Sequence, residues 1–118
     1  MPEMQPPVDN LDPPKHDPFT VDELAQYDGN DKSKPIYLAI KGTVFDVSRR
    51  PEMYGPGGKY HPLAGRDASR ALGKGSLEKE DLSDNLEGLD EKQREKVDWW
   101  FDFFEKRYNI VGSVVGRE

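Results

Sequence analysis

Hydrophobic residues along the chain follow two different spacings. Ile36, Leu38 and Ile40 fall on every second position, and Thr43-Val-Phe-Asp-Val47 follows as a second β-rich run. A period of two puts such residues on one face of a strand. Residues 36–40 and 43–47 are therefore predicted to pair as a hairpin turning at Lys41-Gly42, with one face buried. Val97, Trp100, Phe101 and Phe104 instead fall at i, i+3, i+4 and i+7, the stripe of an amphipathic helix. Trp99 and Phe103 lie beside that stripe and widen it. Asp90 and Gln93 are placed as a cap pair, so the helix is predicted over residues 90–107. The aromatic cluster from Trp99 to Phe104 reads as core, with a cofactor wall as the alternative.

Shorter signals fill the remainder. Thr20 and Glu23 form a T-x-x-E capping box behind Phe19, predicting a helix over residues 21–27 that Asp28-Gly29 closes. A further helix is predicted over residues 65–72, with Ala68, Ala71 and Leu72 inward, and a short one from Ser76 to Leu82. Residues 84–88 are a polar connector, and residues 110–115 a final strand. One hairpin with separated helices predicts an α+β fold rather than a parallel α/β sheet.

Residues 1–18 break the pattern, because they hold six of the ten prolines and almost no large apolar residue. They are expected to be a disordered or extended arm, or else to wrap the domain surface. A single domain is expected over residues 19–115, with residues 116–118 as a tail. The net charge of −6 disfavours nucleic acid and suits a basic protein partner. There is no cysteine, which excludes disulfides, thiolate metal sites and covalent c-type haem attachment. No run of about 18 apolar residues is present, so no transmembrane segment is expected in this chain. The first ten residues lack the basic and apolar regions of a secretory signal.

The candidate chemistry lies between residues 54 and 62, a Gly/Pro loop expected to be irregular. Tyr54 and Tyr60 flank Gly55-Pro56-Gly57-Gly58. Glycines let backbone approach a ligand closely, although the loop taken alone reads as a plain surface turn. Neither phosphate-binding pattern, G-x-x-x-x-G-K-[ST] or G-x-G-x-x-G after a strand, is present. Nor is there a G-x-S-x-G elbow or an H-E-x-x-H zinc motif. The residues point to a binding module and not an enzyme.

The run YGPGGKYHPLAGRDASRAL resembles the haem-binding signature of the membrane-associated progesterone receptor family, which are cytochrome b5-like haem/steroid-binding domains. FTVDELAQYDG, IYLAIKGTVFDVS and WWFDFFEKRYNIVG resemble the same family in the same order, over about residues 19–115. The likeness is nearest to fungal members related to the yeast damage-response haem protein. It implies a cytochrome b5-like fold: a small mixed sheet with helices forming the haem pocket. Cytochrome b5 proper carries His-Pro-Gly-Gly with an axial histidine. Here Gly55 takes that position and the second histidine has no match, so bis-histidine ligation is not implied. By resemblance, Tyr60 is the axial and only protein ligand of a five-coordinate ferric haem b. Tyr54, Arg107 and Tyr108 help to hold the haem, with Arg107 replacing the family's lysine. Gly57 and Gly58 shape the loop. Arg66, near the predicted start of the helix after the loop, is a candidate to meet a propionate, and Arg66-Asp67 reads equally as a surface pair.

A free phenol has a pKa of about 10, and phenolate is its ligating form, as in catalase-type ligation. A hydrogen bond from Tyr108 to that oxygen favours the charged state. Read without the family, Tyr60 is equally a packed aromatic, and the adjacent His61 is a rival ligand. The implied role is regulator or partner of haem-thiolate monooxygenases in sterol metabolism, or haem handling. Alternatives are a sterol carrier without obligatory haem and an electron-transfer haem protein. An open haem face also permits a haem-mediated homodimer. The implied location is cytoplasmic or peripheral to the endoplasmic reticulum, with the membrane anchor of many relatives absent from this chain.

Overall fold

Lys41 and Gly42 both take positive φ, 53° and 78°, which gives a two-residue turn the twist that suits paired strands. They join β2 (Tyr37–Ile40) to β3 (Thr43–Asp46) as the predicted antiparallel hairpin. The computed structural model describes residues 2–116. The other elements are β1 (Asp17–Phe19), α1 (Val21–Ala25), α2 (Pro51–Tyr54), α3 (Ser69–Lys74), α4 (Glu91–Arg107) and β4 (Asn109–Val114). Single 3-10 turns cover His61–Leu63 and Lys79–Asp81. The strands form one sheet in the order β1-β4-β3-β2, with β1 parallel to β4 and the other pairs antiparallel. This is the small mixed sheet that the resemblance implies.

Ile36, Leu38 and Ile40 do point into one core, with Phe45, Val47, Phe104 and Tyr108. The opposite face is also covered: Ala39 and Val44 pack with Leu24 of α1 and Val114 of β4. The sheet is therefore buried on both sides here, not half-buried as the alternation suggests. Both predicted capping boxes form, Thr20 with Glu23 and Asp90 with Gln93. Helix α1 is shorter than predicted and ends at Ala25.

The helix predicted from Gly65 starts only at Ser69. Residues 65–68 lie along the edge of β2 instead. Gly65 N–H donates to Tyr37 O, Ala39 N–H to Arg66 O and Ala68 N–H to Ala39 O at 2.7, 2.9 and 2.7 Å. Backbone groups committed to a strand edge are not available to a helical turn. Ala68, Ala71 and Leu72 are nonetheless buried. Of the helix predicted from Ser76, only the turn Lys79–Asp81 forms. The sequence reading leaves residues 51–54 without an element. Pro51 opens a single helical turn there, in keeping with the preference of proline for a first helical position. Within α4, Val97, Phe103 and Phe104 are buried, while Trp100 and Phe101 are half-buried. Gly73 explains the close α3–α4 approach, because a Cβ there would sit 2.8 Å from Val97.

The proline-rich N-terminal segment runs extended against the end of α4 and β4. Val8 N–H donates to Lys106 O and Lys15 N–H to Ile110 O, both at 3.0 Å. Asp12 N–H donates to Asn109 Oδ1 at 2.8 Å. Asp17 and Pro18 open β1, and Met4 packs against the main core. Gly112 allows this docking, since a side chain there would collide with the Asp17 carbonyl and the Phe19 ring. Of the tail expected over residues 116–118, Arg117 and Glu118 lie outside the described residues.

Candidate functional site

The site is built on one tight loop. Gly55 N–H donates to Pro51 O, Gly58 N–H to Gly55 O and Tyr60 N–H to Met53 O, each at 2.9 Å. Gly58 is required because a Cβ there would strike the carbonyl oxygens of Met53 and Glu52. Gly57 takes φ of 85°, a backbone region that favours glycine. Among the described residues, neither glycine lines the two clefts that meet at Tyr60. Gly58 lets the loop lie down on α2, which fixes where Tyr60 projects, and Gly57 supplies the positive φ of the turn.

Tyr60 stands where two clefts meet. One, of about 270 Å³, is lined by Tyr54, Tyr60, Arg107 and Tyr108 together with Arg50 and Met53. The other, of about 250 Å³, runs from Tyr60 past Leu63 and Leu72 to Lys59 and Lys96. Trp100 borders both. Each alone falls short of the roughly 300–1,000 Å³ of small-molecule pockets, but the joined pair lies within that range.

Ring contacts run Tyr60–Tyr54–Tyr108. Tyr54 stacks on Tyr60 with centroids 6.0 Å apart and meets Tyr108 edge-on at 6.4 Å. Tyr54 and Tyr108 are buried, while Tyr60 is half-buried. Burial first, then the neighbouring Tyr108 hydroxyl and its hydrogen bond, pushes the Tyr54 phenol far above its ordinary pKa and keeps it neutral. Tyr108, expected from the sequence to support Tyr60, is in contact with Tyr54. Arg107 lies over the Phe103 ring at 5.2 Å, and Lys59 over the Tyr60 ring at 5.3 Å.

Four of the residues singled out from the sequence, Tyr54, Tyr60, Arg107 and Tyr108, thus line one cleft. Arg66 does not join them. It is exposed and lies between two other surface depressions, beside Leu82. Its expected position rested on a helix starting at Gly65, and that start is displaced by the pairing with β2. His61 is turned away from Tyr60, with Nε2 2.9 Å from the Asp28 carbonyl oxygen. Sequence reasoning missed Arg50, Met53, Lys59, Lys96 and the N-terminal residues Pro2, Glu3 and Gln5 that edge the first cleft. Arg50 had only the Arg49-Arg50-Pro51 run as a signal.

Among the described residues no group of three or more His, Cys, Asp or Glu is placed to hold a metal ion. Of the residues that line both clefts, Pro2, Tyr60 and Trp100, only Tyr60 carries a side-chain oxygen that can ligate a metal, and its aromatic neighbours are Tyr54 and Trp100. That set fits a flat macrocycle carrying its own iron and needing one protein ligand, and it does not fit a bare cation.

Residues 20–110 match the family described as cytochrome b5-like haem/steroid-binding domain. The chain is 55% identical over 97 residues to "Probable steroid-binding protein 3" of Arabidopsis thaliana, covering 82% of this chain and 97% of that protein. It is 46% identical over 96 residues to membrane steroid-binding protein 2 of Oryza sativa subsp. japonica, covering 81% of this chain but 36% of the relative. A solved structure from Arabidopsis thaliana, described as having a cytochrome b5-like fold, superposes with a TM-score of 0.78 at 49% identity. That match covers 92% of this chain and all of the other. The chain belongs to the cytochrome b5-like haem/steroid-binding domain family, within its membrane-associated progesterone receptor members. It spans half or less of the length of the membrane steroid-binding relatives it matches.

Proposed function

We propose that this domain binds haem b non-covalently, with the Tyr60 phenolate as the single protein ligand to ferric iron. The supporting observation is the position of Tyr60: it projects where the two clefts join, beside Tyr54 and Trp100, while His61 is tied to the Asp28 carbonyl. Bound there, the iron would supply an open coordination position. The chain's own residues do the rest. The loop glycines fix the approach of Tyr60, Trp100 and Met53 provide apolar wall, and neutral Tyr54 separates Tyr60 from Tyr108. No second ligand is offered from His61, so bis-histidine electron-transfer chemistry is disfavoured. The role that follows is a regulator or partner of haem-thiolate monooxygenases in sterol metabolism, or a haem-handling protein, acting by contact and not by turnover. No helix among the described residues is long and apolar enough to cross a membrane. Membrane-named relatives support a peripheral membrane association for this chain, and the location that goes with the proposed role is cytoplasmic or peripheral to the endoplasmic reticulum.

The test is the absorption spectrum of the purified protein with ferric haem. A high-spin ferric spectrum that collapses in Tyr60→Phe supports the reading, and an unchanged spectrum in that variant sinks it. A second reading, sterol binding without obligatory haem, draws support from the names of the relatives and from the apolar walls of the clefts. Uptake of sterol by protein that takes up no haem would favour it.

A further inference from the structure

Arg50 and Arg107 line the same cleft of about 270 Å³, next to the buried Tyr54 and Tyr108. Two guanidiniums around so small a space repel each other. Arg50 is partly compensated, with Nε 2.6 Å from Glu52 Oε2 and an Nη nitrogen 3.4 Å from Met53 Sδ. Arg107 rests on the Phe103 ring and makes no ion pair among the described residues. Among the described residues, the carboxylate bordering the cleft is that of Glu3 in the N-terminal segment, which is exposed. The cleft lining therefore combines two guanidiniums, one of them without an ion pair among the described residues, with the aromatic rings of Tyr54, Tyr60, Trp100, Phe103 and Tyr108. A neutral ligand would desolvate the guanidiniums without pairing them, whereas carboxylates accept the planar fork of an arginine with two parallel hydrogen bonds.

We infer that Arg50 acts with Arg107 as a carboxylate clamp, so that this cleft selects flat apolar ligands bearing carboxylate groups over neutral ones such as sterols. The inference rests on the Tyr60 cleft being the ligand site, but it does not depend on iron. The clamp recognises the acid end of the ligand and Tyr60 the metal, and the two are separable.

Free-base protoporphyrin IX and its dimethyl ester make the separation, with binding read from tryptophan fluorescence quenching and porphyrin fluorescence. Wild-type protein is expected to bind the diacid roughly tenfold or more tightly than the ester. Arg50→Gln should lose most of that preference by weakening the diacid alone, while Glu52→Gln, which removes the ion pair but keeps the cation, should retain it. Arg50→Lys should fall between, since it keeps charge but not the fork. Equal binding of diacid and ester, no binding of the diacid, or equal weakening of both by Arg50→Gln would each overturn the clamp. If the ferric spectrum survives in Tyr60→Phe while the diacid preference holds, the ligation reading fails and the clamp stands.

Discussion

Tyr54 and Tyr60 stack with ring planes 30° apart and centroids separated by 6.0 Å. One is buried at the end of α2 and the other is half-buried where two clefts meet. The intervening glycines turn the chain back so that residues six apart become neighbours. What happens to the charge or position of either ring is felt by the other.

Exchanging the two candidate ligands should give opposite results. Tyr60→Phe is expected to weaken ferric haem binding by roughly 10–100-fold or more and to abolish the phenolate spectrum. His61→Ala should leave that spectrum unchanged and cost about 1 kcal/mol through loss of the contact with the Asp28 carbonyl. Haem titration of both variants, with thermal melts, checks this; a spectrum that depends on His61 would reverse the assignment.

Phenolate stabilises ferric over ferrous iron, so the midpoint potential should lie below that of a bis-histidine b-type haem, with weaker haem retention on reduction. Spectroelectrochemistry of the haem-loaded protein measures it. A potential above the bis-histidine range would contradict ligation by Tyr60.

Alkaline stability should report Tyr54. Burial raises its pKa in the folded state, while the unfolded chain keeps the ordinary value near 10. The fold thus favours the protonated phenol. Its stabilisation is fully present below about pH 10 and is lost as pH climbs above it, by up to about 1.4 kcal/mol for each pH unit. Tyr54→Phe should cost about 1 kcal/mol at neutral pH yet flatten the alkaline decline. Unfolding curves between pH 8 and pH 11 compare the two, and parallel declines would show that Tyr54 carries no such coupling.

The two adjacent loop glycines should respond differently to alanine. At Gly58 a Cβ meets fixed carbonyls, including Glu52 O at 2.8 Å, so Gly58→Ala is expected to cost about 1–3 kcal/mol and to displace Tyr60, with loss of haem uptake. At Gly57 nothing lies within 4 Å; only the positive φ opposes a side chain, for about 1–2 kcal/mol. Gly57→Ala should keep haem binding. Denaturant midpoints and haem titrations of the pair test the distinction.

Deleting the first eight residues should expose the Tyr60–Trp100 junction, because Pro2 borders both clefts and Met4 packs on the core. Acrylamide quenching of tryptophan fluorescence is expected to rise, with about 1 kcal/mol of stability lost from Met4. Unchanged quenching would show that this segment does not cover the site in solution.

Local chemistry determined much of this protein directly from its sequence. The hairpin follows from alternation and a turn dipeptide, α4 from its stripe and its Asp90–Gln93 box, and the Tyr54–Tyr60 loop from glycines that no regular element tolerates. The order of these motifs also indicated the family. Tertiary structure alone decided three things. Residues 65–68 became a strand-edge pairing because β2 offered unpaired backbone groups, which displaced α3 and placed Arg66 away from Tyr60. The second face of the sheet was buried because Leu24 of α1 packs over it, which residue alternation within β2 cannot register. Finally, Arg50, Trp100 and the N-terminal segment met at one cleft. Their separation in sequence is large, and only packing of α2 against α4 brings the Arg50 and Arg107 charges to the same space as Tyr60.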